Sequence, residues 1–152
     1  MKLAQALILR ADSLKRFRQL KERLFSAVKV QEGDEQPESP QELIKELEVV
    51  AKEFTGLVKK INITNYAVKF ENGKTISEAL AERDVLKLRR QMYEELIEKT
   101  KLELNRYSRS EVKFVVTVNV PKIYRMIETL SKEHRELDSK LQQFNWMTDL
   151  IE

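Results

Sequence analysis

Leu43, Leu47, Val50, Phe54, Leu57 and Ile61 recur at intervals of four, three, four, three and four residues. This rhythm sets all six side chains on one stripe of an α-helix, and the alternation of a strand does not produce it. Sustained for almost three heptads, it predicts a coiled-coil seam. The start of that helix is equally well marked. The Ser39 hydroxyl suits an N-cap, Pro40 suits the first turn, and Glu42 three residues on completes a capping-box pattern. A helix is therefore expected over residues 40–64. Gly56 lies beside the seam and costs about 1 kcal/mol in a helix interior. Close approach of a partner helix or a slight bend would account for it.

Three more segments carry the same periodicity. Leu3, Leu7, Leu14, Phe17, Leu24 and Val28 mark a helix over 2–28, with Arg10 and Lys21 as polar breaks. An exposed acidic loop over 29–39 follows, punctuated by Gly33, Pro37 and Pro40. Ala79, Leu86, Tyr93, Ile97, Leu104 and Tyr107 mark a third helix over 77–106, with Arg83, Arg90 and Thr100 at intervening seam positions. Arginines on a seam need partners, because an unpaired buried charge is costly. Glu42, Glu46 and Asp84 are the candidates. Pro121 opens a fourth helix over 121–150, whose seam is Ile123, Ile127, Leu130, His134, Leu137, Leu141, Phe144 and Ile151.

Between these helices the period drops to two. Tyr66, Val68 and Phe70 alternate with Ala67 and Lys69 and lead into Glu71-Asn72-Gly73-Lys74. Asn-Gly supports the two positive-φ positions of a type I′ turn, so a β-hairpin is expected over 66–76. Thr75 with Glu78, or Ser77, would cap the helix after it. Val112, Phe114, Val116 and Val118 predict a further strand over 112–118. The expected fold is mainly α: one domain of 152 residues with four long helices, forming an antiparallel bundle or coiled coil, plus a small hairpin and one further strand. A continuous third helix would separate the two β segments by about 40 Å. Either that helix breaks, the strand doubles back, or a second subunit completes the sheet. The last option makes a homo-oligomer, a dimer or higher, the expected assembly.

Function is constrained mostly by exclusion. The chain has no cysteine, one histidine and three glycines. Disulfides, thiolate metal sites and cysteine nucleophiles are ruled out, and a glycine-rich phosphate loop has too few glycines. Neither a signal-peptide core nor an apolar run of membrane-spanning length occurs, which points to the cytoplasm. Net charge is +3 but uneven: residues 1–30 are strongly basic and 31–46 strongly acidic. Such blocks suggest pairing within or between subunits before they suggest nucleic acid. The polar residues that stand out are Arg83, Asp84, Arg90, His134, Asp138 and Trp146, read as interface or polar-seam positions. Asp138 shares a helix face with His134 and could orient its ring. Trp146 and Phe144 fit core packing or a subunit contact.

Several ordered segments resemble a family of small bacterial proteins labelled septicolysin-like, whose function is largely uncharacterised. They are Ala6-Leu-Ile-Leu-Arg-Ala-Asp12, Val30-Gln-Glu-Gly33, Ile61-Asn-Ile-Thr-Asn65, Gly73-Lys-Thr-Ile76, Ala79-Leu-Ala-Glu-Arg-Asp84, Arg106-Tyr-Ser-Arg-Ser-Glu111 and His134-Arg-Glu-Leu-Asp138, followed by Gln142, Asn145 and Trp146. The resemblance implies no catalytic residues. The label hints at a secreted cytolysin, against which stand the missing signal peptide, membrane span and cysteine.

The expectation is thus an oligomeric helical scaffold or interaction protein without catalytic activity or cofactor. A nucleic-acid binder using the basic first helix, or a membrane-active protein, are the alternatives. No small-molecule ligand is indicated.

Overall fold

The computed structural model describes residues 1–101 and 113–152. It contains helices α1 (Leu3–Ala27), α2 (Pro40–Ala67), α3 (Ile76–Lys99) and α4 (Val120–Met147), and among the described residues no sheet. Contacts fall into two compact units, Met1–Ser77 with Gln142–Glu152, and Glu78–Leu141.

In the first unit α1 and α2 pack against each other. Arg16 pairs with Glu46 at 2.7 Å and Arg23 with Glu38, so the two helices run antiparallel. The acidic block thereby neutralises part of the basic one within the chain. Leu20, Ala27, Leu43 and Val50 form the core between the helices, with Phe17, Leu24 and Leu47 against them. The stripe of α1 differs from expectation at its end: Val28 is exposed, and Leu20 and Ala27 are buried. A straight helix drifts by about 20° per heptad from a strict seven-residue repeat, which moves the inward position by one residue. Ser39 caps α2 as expected, accepting from the Glu42 amide at 3.4 Å. The Glu42 carboxylate, however, holds Lys45 at 2.8 Å. Nothing lies within 4 Å of where a Cβ on Gly56 would stand. Gly56→Ala is therefore expected to stabilise the protein by up to about 1 kcal/mol in urea denaturation.

The hairpin over 66–76 is not formed as a pair of strands. Thr64, fully buried, extends the seam one step beyond Ile61, so α2 runs on to Ala67 and takes up the residues expected to begin the first strand. What remains is the turn. Asn72 and Gly73 adopt φ of 54° and 78°, Phe70 N–H donates to Lys74 O at 2.7 Å, and a single antiparallel bridge joins Lys69 to Thr75. The turn hands the chain to α3, which begins directly after Thr75.

The two ends of the chain meet in this unit. Leu3 N–H donates to Thr148 O at 2.9 Å and Leu150 N–H to Met1 O at 2.8 Å. Lys2 Nζ reaches Asp149 at 2.9 Å and Met147 O at 3.0 Å. This pairing ends α4 at Met147, short of the expected 150. The hydrogen bond from Lys2, followed by its charge, holds the Asp149 carboxyl below the usual carboxylate range. The buried Thr64 hydroxyl ties the same segment down by accepting the Ile151 amide at 2.9 Å. Phe70 and Phe144 meet edge to face nearby, 5.1 Å between centroids.

In the second unit Asn119 caps α4, its Oδ1 accepting the Lys122 amide at 3.0 Å. Ala79, Ile97, Ile123, Leu130 and Leu141 are buried. Arg83, Leu86, Arg90, Tyr93 and Thr100 on α3's side, and His134 and Leu137 on α4, are half-buried at the expected four-three spacing, and Asp138 is half-buried beside them. Helix α3 closes at Lys99 rather than 106, with Thr100 N–H turning to Ile97 O and Lys101 N–H to Glu98 O. Residues 102–106 lie outside the described residues, as does Val112. The strand expected over 112–118 is absent from 113–118, which makes no β pairing. Phe114 and Val115 are about four-fifths exposed there. Strand-prone residues form a ladder only beside a partner edge, and no such edge stands beside them among the described residues.

Candidate functional site: a polar seam on α3 and α4

The seam residues singled out from the sequence converge in part. Arg83, about two turns into α3, is three-quarters buried and is held by two carboxylates. Its Nη2 donates to Asp84 Oδ1 at 2.9 Å and its Nη1 to Asp138 Oδ1 at 3.2 Å. Asp84, next in sequence, keeps the guanidinium oriented, and Asp138 joins it to α4. Of the expected partners, Asp84 thus serves Arg83, whereas Glu46 and Glu42 are engaged by Arg16 and Lys45.

Arg90, two turns on, faces a poorer set of partners. Glu94 lies one turn away at 3.5 Å, within ion-pair range, yet Arg90 Nε is buried without a hydrogen bond. The two observations agree once geometry is separated from distance: the charges attract, but the N–H does not point at an acceptor. His134 is half-buried on α4, and Asp138, expected to orient it, is engaged by Arg83 instead. Trp146 belongs to the first unit and is more than half exposed, while its neighbour Phe144 is the one that packs. The asparagine cap, the Thr64 tie and the pairing of the chain ends had no sequence signal beyond ordinary polar residues near helix ends.

Chemically this is an ion-pair latch. An arginine between two aspartates fixes helix register. Among the described residues no group of three or more His, Asp or Glu side chains gathers to hold a metal ion. Nor, among them, is any helix long and apolar enough to cross a membrane. The latch is worth little on its own, because both ends reach solvent. A double-mutant cycle with Arg83→Gln and Asp138→Asn should give a coupling of about 0.5–1 kcal/mol, weakening as salt is raised.

The chain matches a family of unknown function (DUF6847) over residues 10–150. It belongs to that family. A crystal structure of a functionally unknown conserved protein from Corynebacterium diphtheriae is similar throughout: 38% sequence identity, 99% of each chain covered, and a TM-score of 0.91. Among curated proteins no sequence matches. Neither description carries an activity, so neither bears on the septicolysin-like resemblance. The mainly helical fold is shared with the corynebacterial protein.

Proposed function

We propose that the protein is a non-catalytic, self-associating helical scaffold, in which coiled-coil-like helix faces and the β-prone segment after α3 supply subunit contacts. One observation carries this reading. Phe114 and Val115 are 78% and 80% exposed in a run of β-branched residues that pairs with nothing described in its own chain. Large apolar side chains left in water at this density mark surfaces that other protein surfaces cover. A matching segment of a second chain is the partner such a run accepts most readily, by adding a strand. The polar residues support the same reading, since Arg16, Arg23 and Arg83 are committed to carboxylates of the same chain. That commitment also leaves a nucleic-acid role for α1 with fewer free cations.

The test is sedimentation equilibrium on the purified chain. A dimer or higher oligomer at micromolar concentration is expected. A folded monomer up to about 100 µM, where even weak specific complexes assemble, would overturn the proposal.

A further inference from the structure

A second heptad rhythm runs along the outside of α2. Lys45, Val49, Lys52, Gly56, Lys59, Ile63 and Tyr66 follow at alternating intervals of four and three residues, and all seven are exposed. Leu43, Leu47 and Val50 of the same helix pack on α1, so this stripe lies on the far side. Lysine recurs in it every seventh residue, about 10.5 Å apart along the helix. Lys45 is paired with Glu42 at 2.8 Å, whereas Lys52 and Lys59 make no ion pair among the described residues. Glu48 and Glu53 flank the first half of the stripe, but no acidic residue occurs from Phe54 to Phe70. Between the lysines stand Val49 and Ile63, each just over half exposed, and at the centre Gly56. Glycine weakens a helix interior, and the space where a Gly56 Cβ would stand is open, so nothing in this chain requires it. We infer that this face docks an acidic amphipathic helix of another protein, which crosses α2 at Gly56.

Spacing, shape and charge select that occupant together. Heptad spacing matches a second helix, whose own side chains recur at the same interval. The missing side chain at Gly56 lets two backbones approach and leaves a hole for a large apolar knob. The unpaired lysines on either side of it are complementary to carboxylates. The same charges exclude α2 of a second copy, because lysine would stand beside lysine whether the helices ran parallel or antiparallel about Gly56. A nucleic-acid backbone would engage only two or three lysines, too few for tight binding, and would leave Val49 and Ile63 without a role. A bilayer surface needs a broader apolar face than a single file interrupted by glycine. The inference goes beyond self-association and does not depend on it.

The probe is a labelled synthetic helix with leucine and glutamate alternating at four-three spacing, titrated with the full chain by fluorescence anisotropy. Its control carries lysine in place of glutamate. The acidic helix should bind at micromolar concentration, more weakly as salt rises, and the lysine helix should not. Lys52 and Lys59 stand in water, so the double variant Lys52→Glu, Lys59→Glu keeps the fold and its circular dichroism. It should weaken the acidic helix at least about tenfold and admit the lysine helix. Gly56→Ala separates close packing from plain charge attraction: stability in urea rises, while affinity for the acidic helix falls about fivefold or more. No binding of the acidic helix, or binding that either variant leaves unchanged, overturns the inference. A single-stranded oligonucleotide or a phosphatidylglycerol vesicle bound more tightly than the helix, through the same lysines, would assign the face to phosphate and overturn it too.

Discussion

Leu130→Ala is expected to lower the stability of the folded protein by about 2–5 kcal/mol, the range for removing a buried leucine without refilling the space. Leu130 is 1% exposed at the middle of α4, between the buried Ile123 and Leu141. Its neighbours along the seam, Ser131 and His134, are polar and half-buried, and the Ser131 hydroxyl is tied to Ile127 O at 2.7 Å. A serine whose hydroxyl is already bonded collapses poorly into a cavity, which places the effect toward the upper half of that range. Urea denaturation with an unchanged slope and a lower midpoint is the measurement. Leu88→Ala, at a residue of the same type but two-thirds exposed, should stay within about 0.5 kcal/mol in the monomer. Equal effects at the two positions would contradict the assignment of inside and outside.

The second large effect is at Thr64. Its hydroxyl donates to Lys60 O at 2.8 Å and accepts the Ile151 amide at 2.9 Å, and the side chain is fully buried. Thr64→Val keeps the shape, deletes the acceptor, and strands a partly buried N–H. A loss of about 1–3 kcal/mol is expected. The loss should also have an address: amide exchange should speed up at Leu150 and Ile151, where the chain end is pinned. Thr64→Ser retains the acceptor and should protect those amides even if packing suffers from the lost methyl group. If valine and serine gave the same exchange pattern, the hydrogen bond would not be what holds the C-terminal segment.

Much of the helical layout was legible because it depends on local chemistry. The seam from Leu43 to Ile61, the Ser39 cap and the Pro121 start each act within a turn or two of the chain, and each appears where the residues put it. The polar positions on the α3 and α4 seams were legible for the same reason: Arg83, Arg90 and His134 fall on the four-three rhythm, and Asp138 lies one turn beyond His134 on its face, regardless of what they touch. Their pairing was not legible. Arg83 chose Asp138, fifty-five residues away, and periodicity on one helix carries no information about which residue of another stands opposite. The same limit explains the β segments. Alternation in Tyr66, Val68 and Phe70 competed with the helical seam that Thr64 prolongs, and burial of Thr64 decided for the helix.

By itself, then, the sequence determined four amphipathic helices, the Ser39 cap of α2, the positive-φ turn at Asn72-Gly73 and the absence of thiol chemistry. These follow from side-chain spacing, backbone preference and composition. Tertiary structure alone decided where α2 and α4 end, that the chain termini pair, which carboxylates hold the arginines, and that α3 turns Val85, Leu88 and Met92 to water. A helix with two possible seams buries whichever one its neighbour completes, and that choice is made by contacts between distant residues.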